Sequence, residues 1–396
     1  MRKSYEEINN RIKEGKAVVV TAEEIISIVK EKGIEQTLKE VDVVTTATFS
    51  PMCSSGAFLN FGHSDPPIRM EKITLNGVSA YSGLAAVDTY IGATEPSERD
   101  GIKYAGSHVI CDLIDGKPVH LKASSNGTDC YPRKEIDTSI TLDSINEAYL
   151  FSPRNCYQNY AAATNSSNKT LYTYMGILNP NMDNITYCTS GELSPLVNDP
   201  YYRTIGIGTR IFIGGAQGFI SWQGTQFNTS RERSEKGIPL GPAATLAVIG
   251  DLRMMNTNYI KPAVIENYGA SMYVGIGIPI PILDEEMLRH VIIENKDIYT
   301  SVFDYSVQRR ERPVVCKVNY EQLRSGFVEI NGKNIRTNTL SSLYKSREIA
   351  NKLKELITNG EFMLQEPIQK FPVRNNGLKS LEVCDYEKKD KVNNYE

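Results

Sequence analysis

No stretch of this chain approaches the roughly 18 consecutive apolar residues of a membrane-spanning helix. The opening residues Met1-Arg2-Lys3-Ser4-Tyr5-Glu6-Glu7 lack the apolar run of a signal peptide. An excess of one charge is missing too: 44 basic against 47 acidic side chains leave a formal net charge of −3 over 396 residues. Such a balance supplies no electrostatic footprint for nucleic acid or a membrane surface. The seven cysteines, at positions 53, 111, 130, 156, 188, 316 and 384, form no C-x-x-C pair and no tight cluster with the four histidines. This argues against a locally built zinc or cubane site, and so few cysteines in so long a chain argue against a secreted disulfide framework. Tryptophan occurs once, beside 22 tyrosines. The remaining composition, 40 % hydrophobic and 23 % charged, is that of an ordinary globular protein. The expectation is a cytoplasmic, reduced protein with a sizeable core.

Local patterns alternate between helix and strand. Residues 5–14 read as a polar helix and Ala17 to Val20 as a short strand. Thr21-Ala22-Glu23-Glu24 has capping-box spacing ahead of the run from Ile25 to Val29. Ile34 to Glu40 reads as a second helix and Val41 to Thr48 as a β-branched strand. From 71 to 125 the pattern is of short strands, with Asn76-Gly77 and Asp115-Gly116 as hairpin turns. The second of these turns would join a strand at His108 to Leu113 to one at Val119 to Ala123. A helix is expected over 143–150. Residues 204–224 and 273–281 read as glycine-kinked strands, where close approach of another backbone or a ligand is the usual reason for glycine. Helices are expected from Asp284 to His290 and from Ser341 to Thr358, with β structure over 317–330. The fold class is α/β (mixed α+β), multi-layer, with mixed sheets and glycine-kinked strands. One region over 5–365 precedes a charged, frayed tail at 375–396.

Two cysteines stand apart from the rest. Cys53 lies in Ser50-Pro51-Met52-Cys53-Ser54-Ser55-Gly56, just after the 41–48 strand, and Cys130 lies in Asn126-Gly127-Thr128-Asp129-Cys130-Tyr131-Pro132. A nucleophilic thiolate needs partial exposure with amides or positive charge nearby, and polar turns supply both. Lys122, Arg133 and Lys134 flank Cys130. Cys111 and Cys316 sit in apolar strand-like runs and read as core, Cys156 and Cys188 are ambiguous, and Cys384 falls in the charged tail. His63, ten residues after Cys53, is a candidate acid or base, or equally a histidine bonded within its turn. His108 and His120 read as structural. Arg69 and Arg210 are candidates to bind a substrate carboxylate bidentately, or else ordinary salt-bridge partners. Gly206-x-Gly208 lacks the later glycine of a dinucleotide fingerprint, and Gly-Lys-Ser/Thr is missing.

The segments Ala47 to Gly56, Asn126 to Arg133 and Gly206 to Gly215 resemble those of the homocysteine biosynthesis family, whose members are L-aspartate semialdehyde sulfurtransferases of methanogenic archaea and anaerobic bacteria. The likeness runs from about residue 5 to 365. It implies conversion of the aldehyde of L-aspartate semialdehyde to the thiol of L-homocysteine through a cysteine persulfide and a reduced thioaldehyde-level intermediate. By its motifs it maps the functional cysteines onto Cys130, expected to carry the persulfide, and Cys53, expected to resolve it or to deliver sulfur to it. From side-chain type and closeness to these motifs alone, His63 is the candidate to protonate the oxyanion, and Arg210 or Arg69, with Gly208 and Thr209, the candidates to bind the substrate. Sulfur would come from sulfide or a sulfane donor. No tightly bound cofactor is implied; electrons would come from a separate ferredoxin-type iron–sulfur protein. Some members carry paired CBS domains after the core, which are not expected here because only about 30 residues follow it. The oligomeric state, a homo-oligomer included, stays open. Thiol–disulfide exchange requires the Cys53 and Cys130 loops to converge. Two alternatives stand beside this reading: a persulfide relay to another carbonyl acceptor, and a binding module sharing an iron–sulfur cluster or metal with a partner.

Overall fold

The computed structural model describes residues 2–372 and 377–383. Its centre is a ten-stranded sheet built around the strands Val43–Pro51 and Gly269–Pro281, which pair antiparallel along nine consecutive residue pairs. Val43–Pro51 is buried over almost its whole length, which is why its sequence is a continuous β-branched and small-residue run without alternation. Val19–Thr21 adds to its edge in parallel. On the other side follow the hairpin Arg210–Ile213 and Ala216–Gln223, then Leu246–Asp251, Glu147–Asn155, Gly56–Asn60 and Asp88–Gly92, all antiparallel.

Two six-stranded sheets, with the two-stranded hairpin Leu171–Thr173 and Gly176–Leu178, complete the layers. One is antiparallel and carries the hairpin Val119–Ser124 and Glu135–Ile140. The other is mixed, with Ala162–Thr164 and Asn184–Tyr187 at its middle. The mixed α/β class is thus the observed one.

Helix Leu343–Thr358 covers the central sheet. Ser342 caps it by accepting from the Lys345 amide, and its buried stripe, Ser346, Ile349, Ala350, Leu353 and Ile357, has the spacing of one helical face. Ile349, Leu353 and Ile357 are fully buried, and each contributes roughly 1.5–3 kcal/mol of apolar burial. The glycines of the long strand exist for this contact. A Cβ on Gly275 would lie 2.7 Å from Ile349 Cδ1 and 2.9 Å from the Tyr259 carbonyl, and one on Gly277 would lie 3.2 Å from Leu353. The close approach expected of this glycine-kinked strand is therefore that of a helix.

The N-terminal helix Tyr5–Lys13 starts with a Ser4–Glu7 capping box. It is tied to the sheet through Asp42, fully buried, which pairs with Lys3 and Arg11 at 2.9 Å each and accepts from the Val18 amide. The helix over 24–40 is continuous in the chain but breaks at Gly33, whose φ is +77°.

Several local expectations are corrected. His108 to Leu113 is not a strand: Gly106–Ile114 is a helix, with Val109, Ile110 and Leu113 buried together. The β-branched residues there suggested a strand, but their i, i+1, i+4 spacing is helical and tertiary burial decides the matter. Asp115-Gly116 ends this helix, with Gly116 left-handed, instead of turning a hairpin. His108 accordingly stands in the first turn, where its Nδ1 accepts from the Ala105 amide at 3.1 Å. The helix expected over 143–150 is a short 3-10 turn, Leu142–Ser144, followed by the strand Glu147–Asn155, whose alternating burial shows the period of two. Residues 317–330 contain a helical turn, Tyr320–Arg324, between two strands. Of the tail, 377–383 carry no helix or strand; Cys384 and most of 375–396 lie outside the described residues.

Candidate active site

Cys53 stands just beyond the carboxyl end of Val43–Pro51. Met52 still donates to the Met272 carbonyl at 2.7 Å, and the chain then reverses through a turn in which the Ser55 amide reaches the Met52 carbonyl. This leaves the Cys53 thiol half-buried, 3.3 Å from the Ser271 hydroxyl on the paired strand. It lines a cavity of about 300 Å³ between the central sheet and the loops of the mixed sheet.

The wall of that cavity is aromatic and carries a second thiol. Tyr157, Tyr160, Tyr174 and Tyr268 face it, together with Arg154, Gln226 and Cys188. Tyr157 and Tyr160 meet edge-on at 4.5 Å, and Tyr174 packs edge-on against Tyr268 and shares a 2.9 Å hydroxyl contact with Tyr305. Burial pushes the Tyr157 hydroxyl up to about 12, while the adjacent Arg154 pulls the other way. Tyr157 therefore stays protonated near neutrality and can donate to an oxyanion. Arg154, at the end of Glu147–Asn155, is the cation of the wall; its Nε donates to Thr225 Oγ1 at 3.0 Å. The abundance of tyrosine was the one signal for this wall in the composition, but nothing in their spacing said which of the 22 would meet.

Cys188 follows the strand Asn184–Tyr187 and is 7 % exposed. Its sulfur contacts Ser341 Oγ at 3.4 Å, and Ser341 is 2.6 Å from Ser50 Oγ. Burial pushes the Cys188 thiol up, whereas Ser341, Ser50 and the Thr189 amide favour its anion.

Cys130 is elsewhere. It sits exposed on the loop between Val119–Ser124 and Glu135–Ile140 and is not part of the Cys53 cavity wall. That loop is held from both sides: Asn126 bonds to Glu71, and Thr128 and Tyr131 exchange backbone hydrogen bonds. Arg133 donates to the carbonyls of Asp65 and Pro66. His63, exposed, stacks on Tyr131 with ring centroids 6.0 Å apart. The structure thus brings His63 to the Cys130 loop and not to Cys53, despite its closeness to Cys53 in sequence. Within one chain the two cysteine loops do not converge on a common cavity.

The other substrate candidates lie outside the cavity wall. Gly208 is left-handed at φ +83°, and a Cβ there would lie 2.8 Å from Ile368 Cδ1. Ile207 exchanges backbone hydrogen bonds with Gln369 and Ile368, so this glycine accommodates the returning C-terminal segment. Thr209 is buried, its hydroxyl accepting from the Gly206 amide at 2.9 Å. Arg210 is half-buried on its strand with Nε lacking a hydrogen-bond partner, and Arg69 is exposed. Cys111 is core but helical, and His120 pairs with Asp137 at the surface. Among the described residues no group of three or more His, Cys, Asp or Glu side chains is placed to hold a metal ion, and no helix is long and apolar enough to cross a membrane.

No solved structure matches the chain. An L-aspartate semialdehyde sulfurtransferase of Methanosarcina acetivorans is 51 % identical over 381 residues, spanning 96 % of this chain and 74 % of its own length. A protein of the same name from Methanocaldococcus jannaschii is 50 % identical over 381 residues, spanning 92 % and 72 %. The family described as homocysteine biosynthesis enzyme, sulfur-incorporation, matches residues 17–364. An enzyme-like cavity with a cysteine at a strand end and a family match over most of the length lead to one conclusion: this chain belongs to the homocysteine biosynthesis, sulfur-incorporation enzyme family.

Proposed function

We propose that this protein is an L-aspartate semialdehyde sulfurtransferase that forms L-homocysteine, with the carbon–sulfur bond made at Cys53. The observation that carries the reading is a half-buried thiol on the wall of a cavity of about 300 Å³, large enough for a short amino-acid aldehyde. Two relatives about half identical bear the name of this activity.

In this reading Cys53 carries sulfane sulfur as a persulfide. The terminal sulfur attacks the aldehyde carbon, and the oxyanion that develops takes a hydrogen bond from Tyr157, which burial keeps protonated. Arg154 holds the α-carboxylate, since a guanidinium can grip both its oxygens. A thiol opens the sulfur–sulfur bond that holds this adduct, leaving a protein disulfide. The freed R–CH(OH)–SH loses water to the thioaldehyde level, and two electrons with two protons convert that to the thiol. Two more electrons with two protons restore the two cysteines. Those electrons come from a separate ferredoxin-type iron–sulfur protein. Cys130 takes up sulfur from the donor at the surface, where its exposure and the neighbouring Arg133 and Lys134 suit an anionic sulfane source. Passing that sulfur to Cys53 requires the Cys130 loop to move or a soluble carrier. The rival reading of an iron–sulfur or metal-binding module finds no donor cluster among the described residues to support it.

The test is anaerobic incubation of the protein with a sulfane donor, L-aspartate semialdehyde and the ferredoxin-type reductant, followed by assay of homocysteine. Product in the native protein and none in Cys53→Ser is expected. Full activity in Cys53→Ser defeats the proposal.

A further inference from the structure

Cys188 was ambiguous in sequence, and nothing assigned so far uses it. Yet it is the second thiol of the Cys53 cavity. The two are linked by a short set of contacts: Ser341 touches Cys188 on one side at 3.4 Å and Ser50 on the other at 2.6 Å, and Ser50 lies three residues before Cys53 on the same strand end. The residue after Cys188 is held in an unusual conformation. Thr189 has φ +107°, which a β-branched residue rarely adopts. It is fixed there by its amide donating to Ser341 Oγ at 2.8 Å and its hydroxyl donating to Tyr320 at 2.7 Å. These bonds hold Ser341 Oγ against the Cys188 sulfur and fix the backbone just after it.

The chemistry has a vacancy for such a thiol. When the terminal sulfur of a Cys53 persulfide bonds to the aldehyde carbon, the product remains attached to the enzyme through a sulfur–sulfur bond. That bond must be opened by a thiol, and Cys130 is not in the cavity.

We propose that Cys188 is the resolving thiol, which attacks the Cys53 sulfur and opens the sulfur–sulfur bond formed there. This rests on the reading of Cys53 as sulfur carrier. In the step, Cys188–SH and the adduct R–CH(OH)–S–S–Cys53 give R–CH(OH)–SH and a Cys53–Cys188 disulfide. One sulfur–sulfur bond breaks and another forms, and the Cys188 proton ends on the departing sulfur. The sulfane sulfur is reduced at the expense of the two cysteines, and R–CH(OH)–SH loses water to the thioaldehyde level. The disulfide is then reduced by the same external electron source. Without aldehyde, the same exchange converts the bare persulfide and Cys188–SH to the disulfide and hydrogen sulfide.

The aldehyde-free exchange makes the inference testable independently of substrate. Reduced native protein is treated anaerobically with inorganic polysulfide, desalted, and followed by peptide mapping and sulfide release. A Cys53–Cys188 disulfide with sulfide release is expected. In Cys188→Ser, Cys53 should retain a mass increment of about 32 Da, one sulfur atom, and release sulfide at least about tenfold more slowly. Cys188→Ala repeats the measurement, and the mapping in native protein needs no substitution. A disulfide joining Cys53 to Cys130, or native-rate sulfide release from both Cys188 variants, overturns the inference. If the Cys53–Cys188 exchange occurs but added L-aspartate semialdehyde gives no homocysteine, the substrate reading fails and the role of Cys188 stands.

Discussion

At the residue scale the three thiols of the proposed reaction have different settings. Cys53 is half-buried on a cavity wall, Cys188 is almost enclosed in the same wall, and Cys130 is exposed on a hairpin loop. An exposed thiol suits collection of sulfur and a half-enclosed one suits bond formation away from water. Loss of Cys130 should therefore be bypassed where loss of Cys53 is not. With a limiting sulfane donor, Cys130→Ser is expected to lose at least about tenfold in homocysteine formation, and to recover most of it when Cys53 is loaded beforehand by excess polysulfide. Cys53→Ser should stay inactive under both conditions. The arginines separate in the same way. Arg154 faces the cavity, so Arg154→Ala is expected to raise KM for the aldehyde by about 10–100-fold, the usual cost of a lost charge-assisted pair, with Arg154→Lys intermediate. Arg69→Ala, at an exposed position outside the wall, should change KM less than about twofold. Steady-state kinetics on the variants decides between them.

Among the elements, the long strand Gly269–Pro281 and the helix Leu343–Thr358 are made for each other. The strand's glycines leave room for Ile349 and Leu353, and the helix supplies the side chains that fill it. Gly275→Ala would press a methyl group against the Tyr259 carbonyl and Ile349, so a loss of about 1–3 kcal/mol is expected, read as a lower urea midpoint at unchanged slope. Because Ser342 donates its amide to the Phe49 carbonyl and Tyr273 reaches the Leu340 carbonyl, displacement of this helix also disturbs the cavity edge. Gly275→Ala should accordingly slow the reaction as well as weaken the fold. Strong periodic segments of this kind were legible in the sequence: the helix over 341–358 and the strand over 41–48 needed only their burial pattern. Gly106–Ile114 was not, because its β-branched residues favour a strand locally and only packing of Val109, Ile110 and Leu113 makes the helix the better state.

For the whole molecule, ion pairs join segments distant in sequence. Arg203 grips Asp284 through two hydrogen bonds of 2.9 and 2.6 Å, and Asp284 also caps the helix Glu285–Val291 by accepting from the Met287 amide. The Arg203 hydrogen bond, against a smaller opposing effect of burial, lowers the Asp284 carboxyl to about 2. A carboxyl depressed in the folded state stabilises the fold fully above its unfolded value near 3.9 and loses that contribution as pH falls through the folded value. Asp284→Asn should thus be less stable than the native protein at about pH 6, and the difference should shrink between about pH 4 and pH 2. Urea denaturation at several pH values reads this directly; a gap that stays constant with pH removes the pair from the acid response.

The sequence by itself determined the mixed fold class and the central-sheet strands over 43–51, 210–223 and 269–281, because burial along a strand is encoded locally, and it placed Cys53 in the polar turn that ends the first of them. It also carried the family likeness that the comparisons bear out. Only the tertiary structure decided which side chains meet. It moved His63 from Cys53 to Tyr131, gave Gly208 to the C-terminal segment, left Cys130 on the surface, and set Cys188, Arg154 and four tyrosines around Cys53. The physical reason is distance along the chain. Cys53 and Cys188 are joined through contacts of strand ends and loops whose positions follow from sheet order and register, and no local pattern of residues specifies those.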